Sequence, residues 1–274
     1  MGFKPVQGTQ NIETFMLPID MTAATQSLYI GQLVKMDTGS FNGAAPLATA
    51  SGAADTSQKQ VILGTVVGMN NYPMTELTNA TYGQYITGAA TQAAQKAIMK
   101  MGNKGMFAKG DPQALIEIAK ISPDVLLEAP ICNGTFGTAP TVVTVSTGDT
   151  TGAGMTTTAT DVATVANMCT AFCRTGANAG LYRIVKSASA TVHTFDTCFP
   201  FAIAVGDTFV IVPYRVGTSY AQINSTAGYL GMCFNCAATP ATNYFQITVK
   251  RLALMEAGKE KVLFWFDPCH FSAR

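Results

Sequence analysis

Charge is what this chain of 274 residues has least of. Lys, Arg, Asp and Glu together make up 12% of it, about half the usual share of roughly 25%. The bases and acids nearly cancel, leaving a net charge of +1. Such a balance projects no long-range field, so no direct role on nucleic acid is expected. Histidine is almost missing too: His193 and His270 are the 2 present. Catalysis leans on groups that titrate near neutrality or hold a metal, and this chain offers few. No stretch approaches the ~20 apolar residues of a membrane helix, so no membrane partner is expected. The opening Met1-Gly2-Phe3-Lys4-Pro5-Val6 has no apolar core of a signal peptide. Val6 also breaks the myristoylation pattern that Gly2 suggests. Synthesis in a cytoplasm is the expectation.

What is present is apolar and uncharged polar. Hydrophobic residues make up 48%, and a chain this long buries roughly 75% of its unfolded surface. Thr, Ser, Asn, Gln, Ala and Gly must cover the remainder. A surface of that kind loses little on leaving water, because no charge is stripped of hydration. Protein interfaces are depleted in Lys, Glu and Asp for the same reason. The composition therefore predicts extensive contact with partners.

Apolar bursts separated by turn residues predict an all-β chain with at most one or two short helices. Predicted strands include Leu28–Ile30, Leu33–Met36, Val61–Gly68, Tyr82–Thr87, Leu115–Ile121 and Val125–Leu127. Beyond the prolines Pro123 and Pro130 follow Thr141–Val145, Leu181–Val185, Phe199–Val205, Thr208–Val212, Tyr244–Leu254 and Lys261–Phe266. Gly206-Asp207 between two of these reads as a hairpin turn. Ala89–Met101 has apolar residues at helical spacing and reads equally as a short helix or a strand. Gly148–Thr160 is a Thr/Gly/Ala tract without lysine, read as an exposed loop and not as a phosphate cradle. The expected organisation is an extended N-terminal arm (1–26) and two small barrel or sandwich domains, 27–130 and 131–274.

Each candidate for chemistry has a plainer counterpart. His193 lies near Asp196, but no Gly-x-Ser-x-Gly elbow accompanies them, so His193 is read as a strand or loop residue. The 7 cysteines are odd in number, and with no leader they are expected as free, buried thiols. Cys169 and Cys173 are read as core. Cys233-Phe234-Asn235-Cys236 with Cys269-His270 is the one set with zinc-ligand chemistry. Its second half is adjacent, where zinc sites space their ligands, so no metal or other cofactor is expected. The lysines Lys96, Lys100, Lys104 and Lys109 form a short basic run suited to a partner face or to water, the first three being the candidate interface residues. Phe3 and Phe15 are candidate anchors of the arm. Trp265, inside Phe264-Trp265-Phe266, is core or an interface hot spot.

Two stretches carry a resemblance. Gly31-Gln32-Leu33-Val34-Lys35 through Val61-Ile62-Leu63-Gly64-Thr65-Val66-Val67-Gly68 resembles the N-terminal β-domain of tailed-bacteriophage capsid decoration (cement) proteins. Gly176-Ala177-Asn178-Ala179-Gly180-Leu181-Tyr182-Arg183-Ile184, with Phe199-Pro200 and Val205-Gly206-Asp207-Thr208-Phe209, is similar to a β-domain of phage virion proteins. The resemblance implies a non-enzymatic protein on the outside of an icosahedral head, often trimeric, reinforcing joints between major capsid subunits. It carries over no catalytic residue. Another virion part, such as a tail-tube or collar protein, is the alternative.

Overall fold

The computed structural model describes residues 2–7, 12–18, 28–36, 44–46, 62–70, 78–79, 83–86, 115–122, 125–158, 169–189, 191–224, 231–237 and 245–267. The chain is all-β: among the described residues every regular element is a strand. The segment Ala89–Met101, open between helix and strand, lies outside the described residues.

Six strands close into a barrel: β11 (Val142–Thr147), β12 (Gly154–Thr157), β13 (Thr170–Cys173), β14 (Tyr182–Ser189), β15 (Val192–Phe195) and β16 (Thr208–Val212). Around the barrel the order is β11-β12-β15-β14-β13-β16, and β16 returns to β11. Closure leaves no unpaired edge for a stray strand. The interior is filled by alternating side chains, among them Val143, Val145, Met155, Val185, Phe195 and Phe209. Cys169 and Cys173 are core, as expected.

Two expectations fail in the barrel. The Thr/Gly tract is not an open loop: Gly154–Thr157 is strand β12, paired with β15. Met155 and Thr157 turn inward while their neighbours do not. Period-two burial of one methionine among small residues is too faint a signal to distinguish from a loop. Conversely, Phe199–Val205 makes no strand, only an isolated bridge between Asp149 and Ile203. Its backbone is satisfied another way. The Asn178 side-chain amide donates to the carbonyls of Phe201 (2.9 Å) and Ala202 (3.2 Å), and its Oδ1 accepts from the Phe201 N–H at 3.1 Å. A side chain thus does the pairing a ladder would do.

A second sheet joins both ends of the chain. Its order is β1 (Lys4–Gln7), β10 (Leu126–Cys132), β18 (Phe234–Asn235), β17 (Gly217–Ile223), β19 (Phe245–Ala253) and β20 (Lys261–Phe266). Strand β20 also pairs back onto β10, Leu127 lying opposite Phe264. The boundary at residue 130 thus falls inside β10, which pairs with strands from both termini. Phe264 and Phe266 point inward from β20 and meet Phe234 and Phe3. Phe3 and Phe234 pack edge to face, with ring centroids 5.0 Å apart, an arrangement contributing about 0.5–1.5 kcal/mol beyond area burial.

The remaining strands form two further sheets. One has the order β2 (Thr14–Pro18), β9 (Leu115–Lys120), β6 (Gly64–Asn70), β4 (Leu33–Met36) and β5 (Ala44–Pro46). The other is β3 (Leu28–Tyr29), β8 (Gly83–Ile86) and β7 (Thr78–Asn79). The Phe3 N–H donates to the Gly31 carbonyl at 2.6 Å. A Cβ on Gly2 would stand 2.2 Å from that oxygen, and Gly31 has φ +85. Both positions require glycine for the chain to cross here. Leu33 and Ile62 share one core with Phe172 and Val212 of the barrel segment and Phe266 of β20.

Candidate interaction surface

The aromatic anchors sort by burial. Phe3 is 2% exposed and sits in the shared core. The expectation that it meets a partner is corrected: its partners are Phe234, Phe264 and Phe266 of its own chain. The first residues are therefore threaded into the fold wherever they are described, as β1 against β10 and β2 against β9. Phe15 lies half-buried on β2, opposite Ile118. Trp265 lies half-buried on β20, between inward Phe264 and Phe266. The Lys250 ammonium stands 5.6 Å over its ring, a cation–π contact. Lys96, Lys100 and Lys104 lie outside the described residues.

The cysteines require a second correction. Cys132 and Cys233 form a disulfide, with Cα atoms 6.1 Å apart and a sequence separation of 101. The parallel pairing of β10 with β18 creates the contact, since Ile131 faces Phe234 and Cys132 faces Asn235. Tyr29, Phe136 and Met232 pack around the bond. The expectation of reduced thiols holds for Cys169, Cys173, Cys198 and Cys236, which are outside any disulfide; Cys198 is exposed. Cys233 has no thiolate to give a metal while this bond stands. Burial pushes the Cys236 thiol up to about 12, which disfavours a thiolate there as well. Cys269 and His270 lie outside the described residues, and among the described residues no three His, Cys, Asp or Glu side chains gather where they could hold an ion.

His193 is fully buried on β15, facing into the barrel beside Phe195. Burial lowers its pKa below the ordinary histidine range, so the ring is neutral at pH 7. Asp196 is exposed in the following loop, its N–H bonded to the Ile184 carbonyl. His193 is therefore a strand residue, as its context predicted.

Sequence patterns did not reveal the most distinctive surface. At one end of the barrel, the 174–181 and 196–207 loops and the 148–153 turn meet. Phe201 is 58% exposed and Val205 69%, yet the backbone beneath them is tightly held. Asn178, fully buried, makes the three bonds described above. The Asp207 carboxylate accepts from the Ala204 N–H at 2.9 Å. Gly176, at φ +91, lies so close to that carboxylate that a Cβ would stand 2.1 Å from it. The Arg183 guanidinium lies 5.1 Å over the Phe199 ring and donates to the Cys198 carbonyl. These contacts hold a fixed apolar tip in water.

A cleft of about 200 Å³ opens where β13 and β14 approach β19. Phe172, Leu252, Leu254 and Val216 supply apolar walls, with Tyr182, Lys250 and Arg251 also lining it. Comparison with protein-family models, curated proteins and solved structures finds no match to this chain. No helix among the described residues is long and apolar enough to cross a membrane.

Proposed function

We propose that this is a non-enzymatic virion structural protein, set on the outer surface of an icosahedral phage head and stabilising contacts between major capsid subunits. The observation that carries it is the pairing of a charge-poor chain, 12% Lys, Arg, Asp and Glu, with large apolar side chains held out in solvent, Phe201, Val205 and Met255 foremost. A free monomer gains nothing from displaying such groups on a braced loop. An assembling protein does, because a preorganised contact loses less entropy on binding. The Gly31–Gly68 and Gly176–Phe209 stretches that resemble decoration and virion β-domains fall on β4 to β6 and on the barrel strands β14, β15 and the start of β16. Copies of itself, as a trimer, and the major capsid protein are the proposed partners. Many weak sites on one shell add up to firm attachment through multivalency. Synthesis would be in the host cytoplasm, and the final location the capsid exterior.

The test is to mix purified protein with preformed, expanded phage shells lacking it. Co-sedimentation at a saturating copy number, with a gain in shell resistance to heat, is expected. No binding, with equal stability of particles that lack the protein, would overturn the proposal. Rings or tubes of purified protein in micrographs would move it to a tail-tube or collar component.

A further inference from the structure

We infer that the Phe201 tip is a knob whose socket is the Phe172–Leu252 cleft of a second copy of this chain. The inference rests on the assembling function proposed above and names one of its contacts. The knob is rigid: buried Asn178 fixes the backbone of Phe201 and Ala202 through three hydrogen bonds. Its large apolar groups face water, Phe201 at 58% and Val205 at 69% exposure. The cleft has the size and lining for a phenyl ring. Its volume is about 200 Å³, whereas a closed apolar cavity of ~150 Å³ takes up benzene.

Charge selects the same occupant. The cleft is lined by Lys250 and Arg251 and by no carboxylate. The loops at the knob carry Asp149 and Asp196 toward solvent, while Asp207 is buried. Of the neighbouring arginines, Arg174 is neutralised by buried Glu260, and Arg183, over Phe199, keeps its charge, so the exposed acids exceed the unpaired base by one. An acidic, apolar-tipped knob thus meets a basic, apolar-walled socket. Knob and socket use different residues of one chain, and the proposed contact is head-to-tail, each copy offering its knob to the next copy's socket. Such contacts close into rings when the rotation allows it and otherwise grow as filaments.

Sedimentation velocity on the full chain tests this, with Phe201→Asp removing the knob and Val216→Asp blocking the socket. Both positions are largely exposed, and unchanged thermal unfolding checks that each variant folds. Phe201→Ser serves as a milder second knob variant. Each single variant should weaken self-association by ~30-fold or more, the loss expected of an interface hot spot. An equimolar mixture of Phe201→Asp and Val216→Asp chains should form dimers and stop there, because one intact knob meets one intact socket. Variants that assemble like wild type would overturn the knob and socket while leaving the assembling function intact. Wild-type protein that stays monomeric yet binds shells would also overturn the self-contact alone. Wild-type protein that neither self-associates nor binds shells would overturn both.

Discussion

Arg174, just after barrel strand β13, forms a buried ion pair with Glu260, just ahead of β20. Their side chains are 9% and 1% exposed. The same guanidinium donates from Nε to the Leu254 carbonyl at 3.1 Å. One arginine therefore ties the barrel to the six-stranded sheet through both a charge and a backbone group. Removing it strands a carboxylate in the interior. Breaking a buried pair this way costs about 3–5 kcal/mol, although replacing both partners with apolar groups is often near neutral. Arg174→Met should lower the denaturation midpoint sharply, and Arg174→Met with Glu260→Met should recover most of the loss. A double-mutant cycle in urea reads this directly. Additive single losses would show that the two groups are not coupled.

The disulfide gives a second prediction. Linking Cys132 to Cys233 closes a loop of about 100 residues, worth up to about 4.7 kcal/mol in the chain-entropy account. Reduction, or Cys132→Ser, should reduce stability by about 2–5 kcal/mol. Thermal unfolding with and without a reductant measures it, and Cys132→Ser should no longer respond to the reductant. A wild-type midpoint that ignores the reductant would show the bond absent in solution.

The N-terminal residues were expected to form an extended arm outside the β-domains. Their placement now predicts otherwise for the first of them. Phe3 is buried among three other phenylalanines, and β1 covers one edge of β10. Phe3→Ala should destabilise the folded chain by about 3–5 kcal/mol, as deletions of buried aromatics do. Removing residues 1–7 should do at least as much. Circular dichroism melts of the truncated protein check this; an unchanged melt would restore the arm.

Thiol chemistry follows from burial. Burial, with the nearby Asp207 charge, pushes Cys173 up to about 11, and burial lifts Cys236 to about 12. At pH 8 both stay protonated and enclosed, whereas Cys198 is exposed. Iodoacetamide should modify Cys198 far faster than Cys169, Cys173 or Cys236, as peptide mass mapping would show. The stability consequence has a definite sign. These thiols ionise more readily in the unfolded chain, near their ordinary value of 9.0. Their stabilisation is complete below that pH and is lost as pH rises through about 9 to 12.

How much was legible in sequence depended on how each strand advertised itself. Lys261–Phe266 alternates inward Val262, Phe264 and Phe266 with outward residues, and β20 spans those residues. The all-β class followed from such segments. The disulfide was hidden because its halves are 101 residues apart and meet only through strand pairing. The apolar tip was hidden for a related reason. Phe199–Val205 has the composition of a strand, and only buried Asn178, 23 residues upstream of Phe201, diverts its backbone. Side-chain capture of a backbone leaves no periodic trace. Asn178→Ala should therefore do what a surface change rarely does. It deletes three hydrogen bonds in a buried setting, with a loss of about 1–3 kcal/mol for each polar group left unsatisfied. Limited proteolysis should then cut within residues 199–207, and an unaltered cleavage pattern would show that the loop holds itself.

His193 supplies the acid side of the pH profile. Burial lowers its pKa below the ordinary 6.5. The folded barrel therefore binds that proton less readily than the unfolded chain does. Its stabilisation is fully present above about pH 6.5, the unfolded value, and is lost as pH falls through that value toward the lower folded one. His193→Gln keeps an uncharged polar side chain at the site and cannot take up the proton. The variant should lose the part of the stability decline that wild type shows between about pH 6.5 and 5, the window in which histidine titrates. Urea unfolding at a series of pH values compares the two slopes. The other histidine, His270, is unchanged in both proteins, so any difference in slope reports on the barrel interior alone. Equal slopes would mean that the barrel opens to water at His193 without unfolding.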